Sequence, residues 1–261
     1  MKKKIKNIWN KIKYFIKDMV VNTFSFGLYI IAQQIILMPI MSRNLSEEAY
    51  ANYIIYISVF AVISNVLGSE LGIVRQIRND INEGKCYNRV LVKMIPIIIL
   101  VSVVALWCLN YNVIDITFLT LSIILANIRL YSASYFRMNK DFKKVLFQNL
   151  IYLVGISVGV VLYKKWEYIW LPTLIAEVCS FIYYLFNTDI IKSGITKKRD
   201  KDILKVFANL GFISLLINGM VYFDKILVYP ILGGAAVTLY YSTNAMSKII
   251  NLIVNPIYSV I

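Results

Sequence analysis

The chain has 261 residues, of which 59% are apolar, and its formal net charge is +14. Soluble domains contain about 45–50% apolar residues, so this composition, with several apolar runs longer than ~18–20 residues, predicts an integral membrane protein of helices. Histidine is absent and the three cysteines lie far apart, which excludes histidine-based triads and the common metal-ligand spacings. The sequence also lacks a nucleotide-binding glycine loop, and we therefore expect no enzymatic activity, no catalytic residues, no metal site and no cofactor.

Residues 1–18 form a basic amphipathic segment. They carry seven lysines, and apolar side chains recur with the spacing of one helix face, as at Ile5, Ile8, Ile12 and Ile16. Helices of this kind lie on anionic membrane surfaces, so the segment is predicted to be a cytoplasmic tail that contacts anionic lipid. A cleaved signal peptide is the alternative, but the apolar run that follows is too long for one and lacks a cleavage site.

About eight apolar segments follow, each long enough to cross a membrane. Their predicted bounds are 19–42, 50–74, 90–110, 114–136, 145–163, 166–187, 206–231 and 236–258. The sequence therefore predicts an all-α fold, a polytopic bundle of transmembrane helices.

The connections between these segments alternate in charge. Beyond the tail, the basic residues concentrate in 75–93, 137–144 and 188–205, whereas the other connections hold only Arg43, Lys164 and Lys165. By the positive-inside rule, the N-terminus and the basic connections are cytoplasmic. Topology thus explains the basic charge, and we expect no nucleic-acid partner.

The second part of the chain repeats features of the first. Pro39 and Pro230 are each followed by isoleucine, and Tyr241 stands as far after Tyr50 as Pro230 does after Pro39. Both copies run from the cytoplasm outward, which is typical of a parallel repeat about an axis normal to the membrane. We expect a truncated chain with three parts after the tail: a six-span lobe at 19–187, a basic cytoplasmic linker at 188–205, and the first two spans of a second lobe at 206–261.

Three stretches carry a resemblance to a known family. They are FGLYIIAQQIILMPIMSRNLSEEAYANYI (26–54), YFRMNKDFKKVLFQNLIYLVG (135–155) and FDKILVYPILGGAAVTLYYSTNAMSKIINLIVNPI (223–257). Through them the chain resembles the bacterial polysaccharide-biosynthesis flippases of the multidrug/oligosaccharidyl-lipid/polysaccharide exporter superfamily. The resemblance implies two lobes of six helices that move lipid-linked sugars across the membrane, and this chain departs from that pattern by ending after eight spans.

Polar residues line one face of several predicted spans. Residues four and seven apart stack on one helix face, and a polar face inside a membrane lies against protein or a water-filled cavity. The asparagines could instead serve as interhelical hydrogen-bond partners, and a lysine near a span end could extend to the membrane surface. The predicted cavity candidates are Asn22, Gln33, Asn218, Tyr222, Lys225, Asn244, Lys248, Asn251 and Asn255.

Two acidic residues within the spans are further candidates. Adjacent helical residues point about 100° apart, so Asp224 and Lys225 belong to different faces. We expect Asp224 to pair with a cation or hydroxyl within its own lobe. Glu177, near the middle of the sixth span, is either a cation site or a structural partner, and we expect Arg129 to be a structural or cytoplasmic-interface residue.

The predicted function is translocation of a polyprenyl-diphosphate-linked oligosaccharide during synthesis of a cell-surface polysaccharide such as O-antigen or capsule. Lysines would bind the diphosphate as point charges, and two lobes would alternate around the site. This places the chain in the bacterial cytoplasmic membrane, with other envelope-polysaccharide assembly proteins as partners. The alternatives are a drug or cation exporter of the same superfamily, with Asp224 and Glu177 as ion sites, and a non-transporting scaffold or inactive remnant.

Overall fold

The computed structural model of the chain describes residues 2–78, 84–188 and 200–258. Within these ranges the regular elements are eight helices, and no strand is formed. Helix α1 joins Lys2–Ile30, a wider π-helical stretch Ile31–Leu37, and Met38–Asn44; α2 likewise joins Glu47–Ile63, the π-helical Ser64–Ser69 and Glu70–Ile77. The later helices are α3 (Gly84–Cys108), α4 (Val113–Met138), α5 (Phe142–Trp166), α6 (Leu171–Asn187), α7 (200–232) and α8 (234–258).

Six stretches of the described chain are long and apolar enough to cross a membrane, so the protein is a multi-pass membrane protein. They are Ile16–Asn44, Glu47–Ile77, Cys86–Cys108, Val113–Met138, Phe142–Trp166 and Lys201–Tyr229. These six match predicted spans, and the prediction of a helical membrane bundle is confirmed.

The sixth predicted span, 166–187, ends where α6 ends, but its predicted start lies five residues before the start of that helix. Helix α5 continues to Trp166, and Glu167 then adopts a left-handed conformation with φ of 58°, which ends that helix. Helix α6 consequently begins at Leu171 and has only 17 residues, the lower limit for crossing a bilayer. The eighth predicted span, 236–258, lies on helical backbone in α8.

Gly233 reverses the chain between α7 and α8. Its φ of 80° interrupts the helix, a conformation that glycine adopts readily because it lacks a Cβ. The reversal is evident from Lys225 and Tyr240: the Lys225 Nζ lies 5.8 Å from the Tyr240 ring centroid. In one straight helix their Cα atoms would be about 22 Å apart. The chain therefore turns back at Gly233, and α7–α8 contacts α2 and α1.

Small residues allow α5 and α6 to approach closely. A Cβ added to Gly155 or Gly159 of α5 would lie only 2.6 Å or 2.5 Å from the Cα atoms of Ala176 and Pro172. Glycines four residues apart let helix backbones meet within membranes. Helix α2 presents the same spacing to α4, at Gly68 and Gly72.

The helix ends adjoining the basic connections meet at one end of the bundle. Arg78 at the end of α2 donates from Nη2 to the carbonyl oxygen of Asp202 at the start of α7, at 3.3 Å. The guanidinium carbon of Arg75 lies 6.0 Å and 5.6 Å from the ring centroids of Tyr87 in α3 and Tyr135 in α4. This grouping agrees with alternating spans, while the assignment of this end to the cytoplasm stays a prediction.

The predicted tail is helical and continues without a break into the first span, from Lys2 to Ile30. Its contact with anionic lipid stays a prediction. Most of the predicted linker at 188–205 lies outside the described residues, and the division into a complete and an incomplete lobe stays a prediction as well.

Candidate functional site

Lys225 is a buried cation within the membrane-spanning part of α7. Its side chain is 2% exposed, and its Nζ donates a hydrogen bond of 2.9 Å to the Val221 carbonyl oxygen, one turn earlier in the helix. The same nitrogen lies 5.3 Å from the Tyr222 ring centroid and 5.8 Å from that of Tyr240 in α8. An ammonium at this distance from aromatic rings is attracted by their π electrons. The Lys225 side chain thus lies between α7 and α8.

Tyrosines connect the surroundings of Lys225 to α1. The ring of Tyr240 lies near the Lys225 ammonium, and the next residue of α8 is Tyr241. The Tyr241 hydroxyl in turn donates to Oε1 of Gln34, at 2.6 Å. Gln34 belongs to the π-helical stretch of α1, a type of local widening that is frequent at functional sites. Helices α1, α7 and α8 therefore meet in a layer of tyrosines around Lys225, which we call the tyrosine layer.

A buried ion pair lies next to this layer, within the first six helices. Arg129 of α4 donates from Nε and Nη2 to the two carboxylate oxygens of Glu177 in α6, at 2.8 Å and 3.1 Å. The guanidinium carbon also lies 5.1 Å and 4.9 Å from the ring centroids of Tyr29 and Tyr152. This two-pronged geometry is among the strongest arrangements for an arginine–carboxylate pair. Glu177 is a structural partner of Arg129 here.

The two predicted residues of α1 are both buried in protein. Gln33 donates from its amide nitrogen to the Tyr152 hydroxyl of α5. Asn22, nearer the N-terminus of α1, is also buried. Tyr29 lies between them in sequence and touches Tyr152, with ring centroids 5.0 Å apart. Arg129 lies over the Tyr152 ring, Gln33 donates to the Tyr152 hydroxyl, and the neighbouring Gln34 accepts from Tyr241. Helix α1 therefore connects the ion pair to the tyrosine layer.

Asn218 contacts α2 through its amide oxygen and its own helix through its amide nitrogen. Asn65 donates from Nδ2 to the Asn218 Oδ1 at 2.9 Å. Asn218 itself donates to the carbonyl oxygen of Ser214, one turn earlier, at 2.9 Å. Asn218 thus forms an interhelical hydrogen bond of the kind expected as the alternative to cavity lining, and its cavity-lining role stays a prediction.

Five predicted candidates have side chains outside those that the structure describes. Their backbone is helical, in α7 for the acidic residue and in α8 for the others. The roles expected for them stay predictions. They are Asp224, Asn244, Lys248, Asn251 and Asn255. Among the remaining candidates, the structure brings Lys225 and Tyr222 together, whereas Gln33 contacts Tyr152 of α5.

Sequence reasoning missed the aromatic surroundings of Arg75, whose side chain is fully buried at the end of α2. Besides Tyr87 and Tyr135, the guanidinium contacts Tyr131, donating from Nη1 to its hydroxyl at 3.3 Å. Tyr131 then donates to Oδ1 of Asn88 at 2.8 Å. Two other helices, α3 and α4, supply this cage, so no periodicity within a single span could have indicated it.

Comparison of the chain with protein-family models, with curated proteins and with solved structures found no match. Among the described residues, no group of three or more acidic, cysteine or histidine side chains is placed to hold a metal ion. The fold and the site therefore define a class: a multi-pass helical membrane protein with a buried lysine and a buried ion pair, each of which lies near two tyrosine rings.

Proposed function

We propose that the protein translocates a polyprenyl-diphosphate-linked oligosaccharide across the bacterial cytoplasmic membrane. The observation that carries this proposal is the burial of Lys225 within a membrane-spanning helix, between the rings of Tyr222 and Tyr240. Lys225 lies four residues before the end of the span Lys201–Tyr229, yet its side chain is buried in protein. A buried cation inside a span marks a functional site by default. A diphosphate is an anionic cargo that such a cation would recognise.

The groups around Lys225 suit both parts of the cargo head, the diphosphate and the sugars. The ammonium is a compact point charge for a phosphate oxygen, and Lys248 of α8 is the proposed second cation. Tyrosine rings and hydroxyls of the tyrosine layer offer apolar faces and hydrogen bonds for sugars. The resemblance of the three quoted stretches to polysaccharide flippases supports the same cargo.

Alternating access would move α7 and α8 against the six preceding helices. The described polar side-chain contacts across this boundary include Tyr241 with Gln34 and Asn218 with Asn65. Hydrogen bonds between membrane helices average about 0.6 kcal/mol, so contacts of this kind can exchange during a transport cycle. The proposed orientation has the tail and the basic connections in the cytoplasm.

The pairing of Glu177 with Arg129 argues against Glu177 as an ion site of a drug or cation exporter. A carboxylate that already accepts two hydrogen bonds from a guanidinium carries no excess charge for a transported cation. Binding of an anionic cargo at Lys225 does not require Glu177 as a binding group.

Binding of a synthetic polyprenyl-diphosphate disaccharide to the protein in lipid nanodiscs tests the proposal. Losing one charge-assisted contact of ~1.5–3 kcal/mol should weaken binding of this probe by about ten- to a hundredfold in Lys225→Gln, with a smaller loss in Lys225→Arg. Lys140→Gln is the matched control, because Lys140 is exposed in the α4–α5 turn. Equal affinities for wild type and Lys225→Gln would exclude Lys225 as the diphosphate partner.

A further inference from the structure

An apolar groove lies between α2, α3 and α7, within the membrane-spanning segments. Its volume is about 180 Å³. Val101 and Leu215, on its edge, are 45% and 44% exposed, so the groove opens on the outside of the described bundle. The opening faces the lipid chains of the membrane, because these residues lie inside their spans. The lining consists of Val59, Val62, Ile63, Val101, Ala105, Leu215 and Gly219.

The groove adjoins the polar face of α7. Leu215 and Gly219 lie about 60° and 100° around the helix from Asn218, at 100° per residue. Lys225, seven residues after Asn218, returns to nearly the same face as Asn218. A molecule with a polar head at Lys225 and an apolar chain could therefore contact both surfaces of one helix.

The size and chemistry of the groove suit a branched hydrocarbon. A cavity of about 150 Å³ with apolar walls stays dry and holds benzene, a molecule of six carbons. The groove is slightly larger than that cavity and offers no polar side chain among its lining residues. It therefore has room for an isoprene unit of five carbons and its methyl branch.

We propose that this groove binds part of the prenyl chain of the cargo while the diphosphate is held at Lys225. The inference rests on the proposed function and adds to it the binding position of the prenyl chain. It commits to an isoprenoid chain, because the adjoining polar face would hold the head of the same molecule. Straight acyl chains of bulk phospholipid are the competing occupant, and the test distinguishes them.

Photolabelling of the whole chain in nanodiscs tests this placement. Two probes are compared at equal mole fraction: a polyprenyl diphosphate with a diazirine in its prenyl chain, and a phosphatidylglycerol with a diazirine at matching depth. Mass spectrometry then locates the labelled peptides. We expect the prenyl probe to label the groove residues about tenfold more than the phospholipid, a preference of ~1.4 kcal/mol.

A groove-filling variant provides the second readout. Ala105→Phe should reduce prenyl labelling of the groove about tenfold. Its matched control is Ala208→Phe, since Ala208 is exposed on α7 and does not line the groove. If Ala105→Phe fails to fold, Val62→Phe fills the groove from α2. Equal labelling by both probes, or labelling unchanged in a folded filled variant, would overturn the inference.

The outcomes separate this inference from the proposed function. Wild-type protein that flips lipid-linked sugar without selective groove labelling would refute the groove alone. Selective groove labelling with no flipping by wild type would refute the proposed function and leave a prenyl-binding groove.

Discussion

Arg129 and Glu177 form a two-pronged ion pair between α4 and α6, and both side chains are almost completely buried. Taking either charge into the interior alone costs several kcal/mol, whereas together they satisfy one another. The pair therefore constrains how α4 and α6 pack, and through Tyr29 it also fixes α1.

The first prediction concerns this pair. Glu177→Leu should destabilise the folded protein by about 3–5 kcal/mol, because Arg129 would remain buried without its carboxylate. Arg129→Met combined with Glu177→Leu should recover much of that loss. Thermal unfolding in detergent, followed by size-exclusion chromatography, measures both effects. A double variant no more stable than the single variant would show that the pair contributes more than mutual charge compensation.

The second prediction concerns the contact of α5 with α6. Gly155→Ala should destabilise the protein by about 1–3 kcal/mol, because the added Cβ would lie 2.6 Å from the Ala176 Cα. Gly27→Ala is the matched control: a Cβ at Gly27 has no neighbour within 4 Å, so it should be neutral or slightly stabilising. The same unfolding assay compares them. Equal unfolding stabilities of the two variants would show that α5 and α6 do not approach as closely as described.

The third prediction concerns Asn65 and Asn218. A double-mutant cycle with leucine at each position should give a coupling energy of about 0.6–1.7 kcal/mol, the range for hydrogen bonds between membrane helices. Chemical unfolding in mixed micelles provides the four stabilities. A coupling energy near zero would contradict this prediction. If cargo binding were then reduced by Asn218→Leu and not by Asn65→Leu, Asn218 would be assigned to the cavity lining.

The fourth prediction concerns orientation. In a variant whose three cysteines are replaced by alanine, a cysteine replacing Asn44 should react with a membrane-impermeant thiol reagent in intact cells. A cysteine replacing Lys140 should react only after the membrane is opened. Both positions are exposed, so burial cannot account for a difference. The reverse pattern would place the basic connections outside and contradict the charge rule.

Apolar run length was sufficient to predict most of the helices, because a bilayer sets both their length and their composition. Local rules failed at the start of α6, where Glu167 adopts the left-handed conformation that glycine or asparagine usually provides. The α5–α6 contact was readable in principle, since Gly155 and Gly159 have the spacing of closely packed membrane helices.

The ion pair and the tyrosine layer could not be predicted from the sequence, because each brings together residues of different helices. Arg129 and Glu177 lie on different helices, and nothing in either helix indicates that the two are neighbours. The same holds for Lys225 and Tyr240, which meet only because Gly233 reverses the chain. Periodicity identifies the face of a helix that avoids lipid, but tertiary packing decides which faces meet.

The central claim is that Lys225 serves the passage of a diphosphate-linked sugar across the membrane. It is tested most directly by reconstituting the protein in liposomes with a fluorescent polyprenyl-diphosphate oligosaccharide and following its transfer with a membrane-impermeant quencher. Wild type and Lys140→Gln should transfer this probe well above protein-free liposomes. Lys225→Gln should be slower by about tenfold or more, the loss expected for one charge-assisted contact. Transfer by Lys225→Gln at the wild-type rate, or none by wild type, would contradict the account.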